Sequence, residues 1–159
     1  MADTPKFVVD QNVGKLARWL RLMGYDARFF RGDADAELVS IALNEGRVIL
    51  TRDTRIMKRR LVARGRLKAV LVGSDRPREQ IRQVVDSLHL DWYFNPFSLC
   101  LECNRPLVER KKAEVKELVP PYVFKTQEQF RQCPACQRIY WRGTHWRAMT
   151  ERLEGRGGG

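Results

Sequence analysis

Four short apolar runs alternate with four helix-like stretches between residues 6 and 88, and this alternation constrains the fold more than any other feature of the chain. Residues 6–10 (Lys-Phe-Val-Val-Asp), 27–30, 47–51 and 67–73 read as buried strands. Between them, Val13, Leu16, Ala17, Leu20 and Met23 recur at helical spacing from a cap at Asn12 to a stop at Gly24. A second helix runs from a cap at Asp35 through Leu38, Val39, Ala42 and Leu43 to Gly46. A basic helix over 54–62 and a helix over 77–88 opened by Pro77 complete the series. Strand–helix alternation of this kind implies an α/β fold, a parallel sheet with helices on both faces. In strand order 2-1-3-4, the carboxyl ends of strands one and three flank the crevice where such sheets bind ligands.

Three acids stand at element ends beside that crevice: Asp10 ends strand one, Asp53 follows strand three and Asp35 begins helix two. Carboxylates converging there repel one another unless a cation lies between them, and oxygen-only ligands favour Mg²⁺ or Mn²⁺. Such a site can activate water and stabilise the leaving oxygen of a phosphodiester. The plainer reading stays open, since Asp is common in turns and at helix caps. Asp33 and Glu37 flank Asp35 and could take its role, while Asp75 reads as a cap before Pro77. Neither GxxxxGK[ST] nor GxGxxG occurs, so phosphate would meet metal and basic side chains rather than a glycine cradle. Lys15, Arg52 and Arg55 are placed to help, against the alternative that they are merely solvated.

All nine Asp residues lie at or before Asp91, and all four Cys at or after Cys100. Cys100-x-x-Cys103 and Cys133-x-x-Cys136, 29 residues apart, read as a closed tetrahedral zinc site of structural kind, since four thiolates leave no open position. A pair of redox dithiols is the alternative. The interval between the knuckles holds an inserted excursion with Arg110-Lys111-Lys112 and Pro120-Pro121. After the second knuckle, basic and aromatic residues interleave from Arg138 to Arg147. Arg138, Trp141, Arg142 and His145 are therefore candidate RNA contacts, stacking and pairing as single-strand platforms do. The same aromatics would equally serve as the core of a small ribbon.

These boundaries divide the 159 residues into 1–96, a ribbon with its basic insertion over 97–150 and a flexible tail over 151–159, with an aromatic hinge from Trp92 to Phe97. The net charge is +11, carried by 22 Arg and 8 Lys, which favours a polyanionic partner. No apolar run approaches a membrane span, and the first residues carry no apolar signal region. A cytoplasmic protein without a membrane partner is expected.

With these residues in view, the chain resembles the Mut-seven C-terminal RNase domain family, a PIN-like (Rossmann-like) nuclease fold followed by a zinc ribbon. The matching stretches are Val8-Val9-Asp10, Gly14 through Arg21 with Gly24-Tyr25-Asp26, Asp35 through Leu38, and Gly46-Arg47 with Leu50 through Asp53. They continue with Cys100-x-x-Cys103-Asn104, Cys133-x-x-Cys136, Tyr140-Trp141 and Gly143-Thr-His145. The resemblance implies a Mg²⁺- or Mn²⁺-dependent ribonuclease with Asp10, Asp35 and Asp53 as acidic ligands and, by analogy with PIN enzymes, a product bearing a 5′ phosphate. Asp35 stands where such nucleases often carry Glu, and Glu37 or Asp75 would have to supply the usual fourth acid. RNA is the expected partner, with tRNA, rRNA and the ribosome as candidates. The competing reading is a non-catalytic RNA- or ribosome-binding module on the same scaffold. A nucleotide-binding protein is disfavoured by the missing phosphate loop.

Overall fold

A computed structural model describes residues 4–142. His145 and the tail over 151–159 lie outside the described residues. The first part of the chain runs β1 (Lys6–Asp10), α1 (Lys15–Met23), β2 (Ala27–Phe30), α2 (Asp35–Glu45) and β3 (Arg47–Thr51). It continues with α3 (Thr54–Met57), α4 (Arg60–Ala63), β4 (Ala69–Leu71) and α5 (Pro77–Leu88). The four strands form a parallel sheet, as the alternation implied, and their order is β2-β1-β3-β4.

Alternation along each strand sorts the core into two layers. Phe7, Val9 and Leu50 pack against Leu16, Leu20 and Met23 of α1 and Ile81, Val84 and Val85 of α5. Val8 and Ile49 point the other way, against Leu38 and Ala42 of α2, Ile56 of α3 and Leu67.

Several local expectations are corrected. Asn12 does not cap α1. A 3-10 turn over Gln11–Val13 comes first, capped by Asp10 through its own Gln11 N–H, and Asn12 is thereby free to reach across the sheet. Asp35 is the first residue of α2 rather than its cap, which falls to Ala34. Asp75 does not cap α5 either. Arg76 holds that position, and the Ser74 hydroxyl accepts its N–H. The basic helix over 54–62 is two four-residue helices. In one unbroken helix Ile56 and Leu61 would diverge by about 140°, whereas the break lets both pack against the same sheet face. The fourth strand shortens to Ala69–Leu71, although the Val72 N–H still bonds the Thr51 carbonyl at 2.7 Å.

Gly24 ends α1 at φ 99°, and a Cβ there would stand 2.3 Å from the Asn95 carbonyl oxygen. The Asn95 N–H bonds the Met23 carbonyl at 2.9 Å, so the segment following α5 is laid directly on this turn. Gly24→Ala is expected to cost about 3 kcal/mol, from left-handed strain and a backbone clash together. A thermal or urea melt checks it; a loss below about 1 kcal/mol would show that the segment does not depend on the close approach.

The remaining strands, β5 (Val108–Arg110), β6 (Phe130–Gln132) and β7 (Ile139–Trp141), form an antiparallel sheet in that order. The excursion between β5 and β6 holds a 3-10 turn over Lys112–Val115 and α6 (Pro121–Thr126). Val115, Val119 and Val123 from it close on Phe130, Ile139 and Trp141 as a small third core. No described helix is long and apolar enough to cross a membrane.

The two sheets are joined by polar contacts at the first cysteine knuckle. The Asn104 side chain accepts the Ala27 N–H at 3.0 Å and donates to Asp26 at 2.7 Å. Arg47 donates to the same Asp26 oxygen at 2.7 Å. Burial alone would raise the Asp26 carboxyl, but these bonds outweigh it and hold the group below its ordinary range. Phe94, from the aromatic segment, stacks on Tyr25 with centroids 4.8 Å apart.

Candidate metal centres

The carboxyl edge of the parallel sheet carries a cleft of about 140 Å³ lined by Asp10, Asp33, Asp35 and Asp53, together with Asn12, Phe30 and Arg55. Each acid arrives from a different element. Asp10 is the last residue of β1, Asp33 follows β2, Asp35 opens α2 and Asp53 caps α3 through the Arg55 N–H.

Asp10 is the deepest, 6% exposed. It accepts from the Gln11 N–H at 2.8 Å, the Thr51 hydroxyl at 2.7 Å and the Asn12 amide at 3.2 Å. Thr51 is fully buried and its oxygen also accepts the Asp53 N–H at 3.0 Å, so one hydroxyl fixes both acids. Asn12 ties the same strand ends from the other side, its oxygen accepting the Arg52 N–H at 3.1 Å. The Arg55 guanidinium meets Asp53 at 2.9 and 3.1 Å. These bonds, with the Arg55 backbone N–H, hold the Asp53 carboxyl below the ordinary range. The field of Asp35 reaches the same guanidinium.

The cleft therefore brings Asp10, Asp35 and Asp53 to one place, and with them Asp33. Glu37 and Asp75 are exposed and do not line it. Of the basic residues named from sequence, Arg55 lines the cleft, while the Lys15 and Arg52 side chains are exposed. Arg138 is exposed. Arg142 lies over the Phe97 ring at 5.6 Å and donates to the Pro96 carbonyl. Trp141 is half-buried in the third core. Thr51 and Asn12 were missed as site residues. Only the position of Thr51 before Arg52-Asp53 hinted at its role, and Asn12 read as a helix cap.

The donors fit a hard divalent cation: every acid offers only oxygen, and Asp10 is held by uncharged donors. The carboxylates are nevertheless more open than the thiols. Among the described residues, the cysteines are the one group of three or more candidate ligands whose donor atoms all lie within 4.8 Å of one another.

In that second centre Cys100, Cys103, Cys133 and Cys136 are free thiols that could hold a metal ion such as zinc. Each knuckle turns its third N–H back on its first sulfur, Cys103 to Cys100 at 3.4 Å and Cys136 to Cys133 at 3.5 Å. Four thiols this close cannot all ionise without a cation. The Cys136 hydrogen bond is the largest cause that pushes Cys103 up to about 12. Burial alone raises Cys133, but the Cys136 and Ala135 N–H groups and neighbouring thiols outweigh it and bring that thiol down to about 7. The Tyr140 hydroxyl accepts the Leu101 N–H and reaches the Cys100 sulfur, both at 3.2 Å.

Arg21 shares the polar spacing of Lys15 and Arg18 on α1 but is buried, 8% exposed. Its guanidinium donates to the carbonyls of Ala27 at 3.0 Å, Leu101 at 2.8 Å and Glu102 at 3.4 Å. No carboxylate pairs with it in an ion pair among the described residues. Burial brings the Arg21 guanidinium below its ordinary value, opposed by the fields of Cys100, Glu102, Cys103 and Asp26 in that order.

Compared with models of known families, residues 5–153 match the one described as the Mut7-C RNAse domain. No curated protein and no solved structure matches the chain.

Proposed function

Because the chain belongs to the Mut7-C RNAse domain family, we propose that it is a metal-dependent ribonuclease whose acidic cleft hydrolyses RNA phosphodiester bonds. The observation that carries this reading is the meeting of Asp10, Asp33, Asp35 and Asp53 at the carboxyl edge of a parallel sheet. Asp10, Asp35 and Asp53 are the ligands we assign to Mg²⁺ or Mn²⁺, with Asp33 a better-placed fourth acid than Glu37 or Asp75. The cation would supply the Lewis acidity that activates water and stabilises the leaving oxygen. Thr51 and Asn12 orient the Asp10 carboxylate, and the Asp53–Arg55 pair must open for both Asp53 oxygens to serve as ligands. The four cysteines hold a structural zinc that builds the ribbon, and Arg138 and Arg142 extend the RNA surface beyond the cleft. We divide the chain after residue 96 into nuclease and ribbon units and place it in the cytoplasm.

One observation favours a second reading, a non-catalytic RNA- or ribosome-binding module: Arg55 already supplies a counter-charge to Asp53, so the cleft can stand without a cation. Incubating a labelled RNA pool with the zinc-loaded protein, with and without Mn²⁺, separates the two. Manganese-dependent fragments with 5′ phosphates are expected. Tight RNA binding with no cutting under Mg²⁺, Mn²⁺ or Co²⁺ would replace the first reading by the second.

A further inference from the structure

The segment from Lys58 to Lys68 carries Lys58, Arg59, Arg60, Arg64, Arg66 and Lys68 and no acid. All six are exposed. Its apolar residues are committed elsewhere, since Leu61, Val62 and Leu67 pack with Ile56 against the sheet. The segment is therefore anchored through one side and presents almost only cations on the other.

Several cations elsewhere in the chain are answered by carboxylates: Arg28 by Glu45, Arg47 by Asp26 and Glu45, Arg76 by Glu79, Lys112 by Glu128 and Arg131 by Glu109. None of the six makes a side-chain hydrogen bond or ion pair with another described residue. Surface charges adopted for stability come as networks of both signs, whereas six like charges on one short segment repel and weaken the fold they belong to. A one-sided accumulation needs a polyanion to offset it.

Position identifies the polyanion. The segment continues from α3, whose cap is Asp53 and whose Arg55 lines the acidic cleft. A cation-rich surface leading up to carboxylates holds a backbone that the carboxylates alone would repel. Exposed Lys and Arg side chains suit phosphate contacts.

We infer that the exposed face of residues 58–68 binds the phosphate backbone of the RNA strand and guides it into the acidic cleft. The inference rests on the ribonuclease reading for its choice of RNA. It differs from that reading in placing the main electrostatic contact beside α3 and α4 rather than on the ribbon.

The test is binding of a fluorescent single-stranded RNA by zinc-loaded, full-length protein across a salt series, in an Asp10→Asn background that keeps the strand whole. The variant Arg59→Gln/Arg60→Gln/Arg64→Gln is set beside Arg105→Gln/Lys116→Gln/Lys125→Gln, which removes the same net charge from exposed side chains elsewhere. Three lost contacts to single-stranded RNA lower the slope of log affinity against log salt by about 2, with affinity falling about 10–100-fold near 100 mM salt. The control triple should stay within about threefold of the parent. Equal losses in the two triples, or none in the first while the parent binds, would overturn the assignment and leave this face to another partner. A parent that binds no RNA at low salt overturns both this inference and the ribonuclease reading. A parent that binds but an unsubstituted protein that never cuts overturns only the latter.

Discussion

Asp10→Asn is expected to abolish manganese-dependent RNA cleavage, by about 10³-fold or more, while the protein stays folded. A change of that size is about 4 kcal/mol of transition-state stabilisation, appropriate for removing a ligand anion from the centre of the site. The fold should tolerate it because Asp10 contributes little that an amide cannot. Its neighbours are the Thr51 hydroxyl, which can turn to accept, a backbone N–H that the amide oxygen still accepts, and the Asn12 side chain. Substitution also removes a buried carboxylate that no cation among the described residues contacts directly, so the thermal midpoint should hold or rise. Single-turnover cleavage and a melting curve on the same preparation check both halves. Wild-type cleavage in the variant would reject the cleft as the site, and a collapsed fold would mean that the carboxylate is structural.

Removing the zinc we propose at the cysteine site is expected to have the largest effect on stability, at least about 5 kcal/mol, and to be felt in the parallel sheet as well as the ribbon. Structural zinc in small modules contributes more than this on binding, but the reach of the effect depends on Arg21. Four thiolates around a dication leave a net charge of about −2, and Arg21 is the buried cation beside them, bonded to the Leu101 and Glu102 carbonyls of the knuckle and to Ala27 of β2. If the knuckle opens, Arg21 loses the Leu101 and Glu102 carbonyls and keeps only Ala27 while α1 still holds it inside, which is costly for a buried charge. The Ala27 amide, bonded to Asn104, is the reporter. Hydrogen exchange after chelation or in Cys133→Ser should show it unprotected together with the ribbon amides. Retained protection at Ala27 with a melted ribbon would mean that the two sheets are independent.

What the sequence made legible follows from which interactions are local. Val8, Ile49 and Leu50 declared their strands through apolar runs, and their alternation with helices implied a parallel sheet, whose order β2-β1-β3-β4 puts Asp10 and Asp53 at one edge. The cysteine spacing declared its cluster directly. Contacts between distant residues left weaker traces. Arg21 follows the polar spacing of Lys15 and Arg18, and only the docked knuckle, some eighty residues later, makes it a buried residue. Asn104 reads as a turn residue at positive φ, yet its side chain serves β2. Asp33 looked like one of several acids in a loop, and the path of the chain after β2, rather than any pattern, brings it to the cleft while Asp75 stays outside.

The knuckle contacts also bear on solubility. β2 is an outer strand of the parallel sheet, and its outward-facing main chain would otherwise offer a template on which another chain could add. At Ala27 both outward groups are taken by side chains, the N–H by Asn104 and the carbonyl by Arg21. The folded cysteine knuckle thus acts as a guard on an open edge. With the proposed zinc in that knuckle, a cell short of the metal would hold not merely a less stable protein but chains inclined to stack on one another, and metal supply would set how much of it remains dispersed.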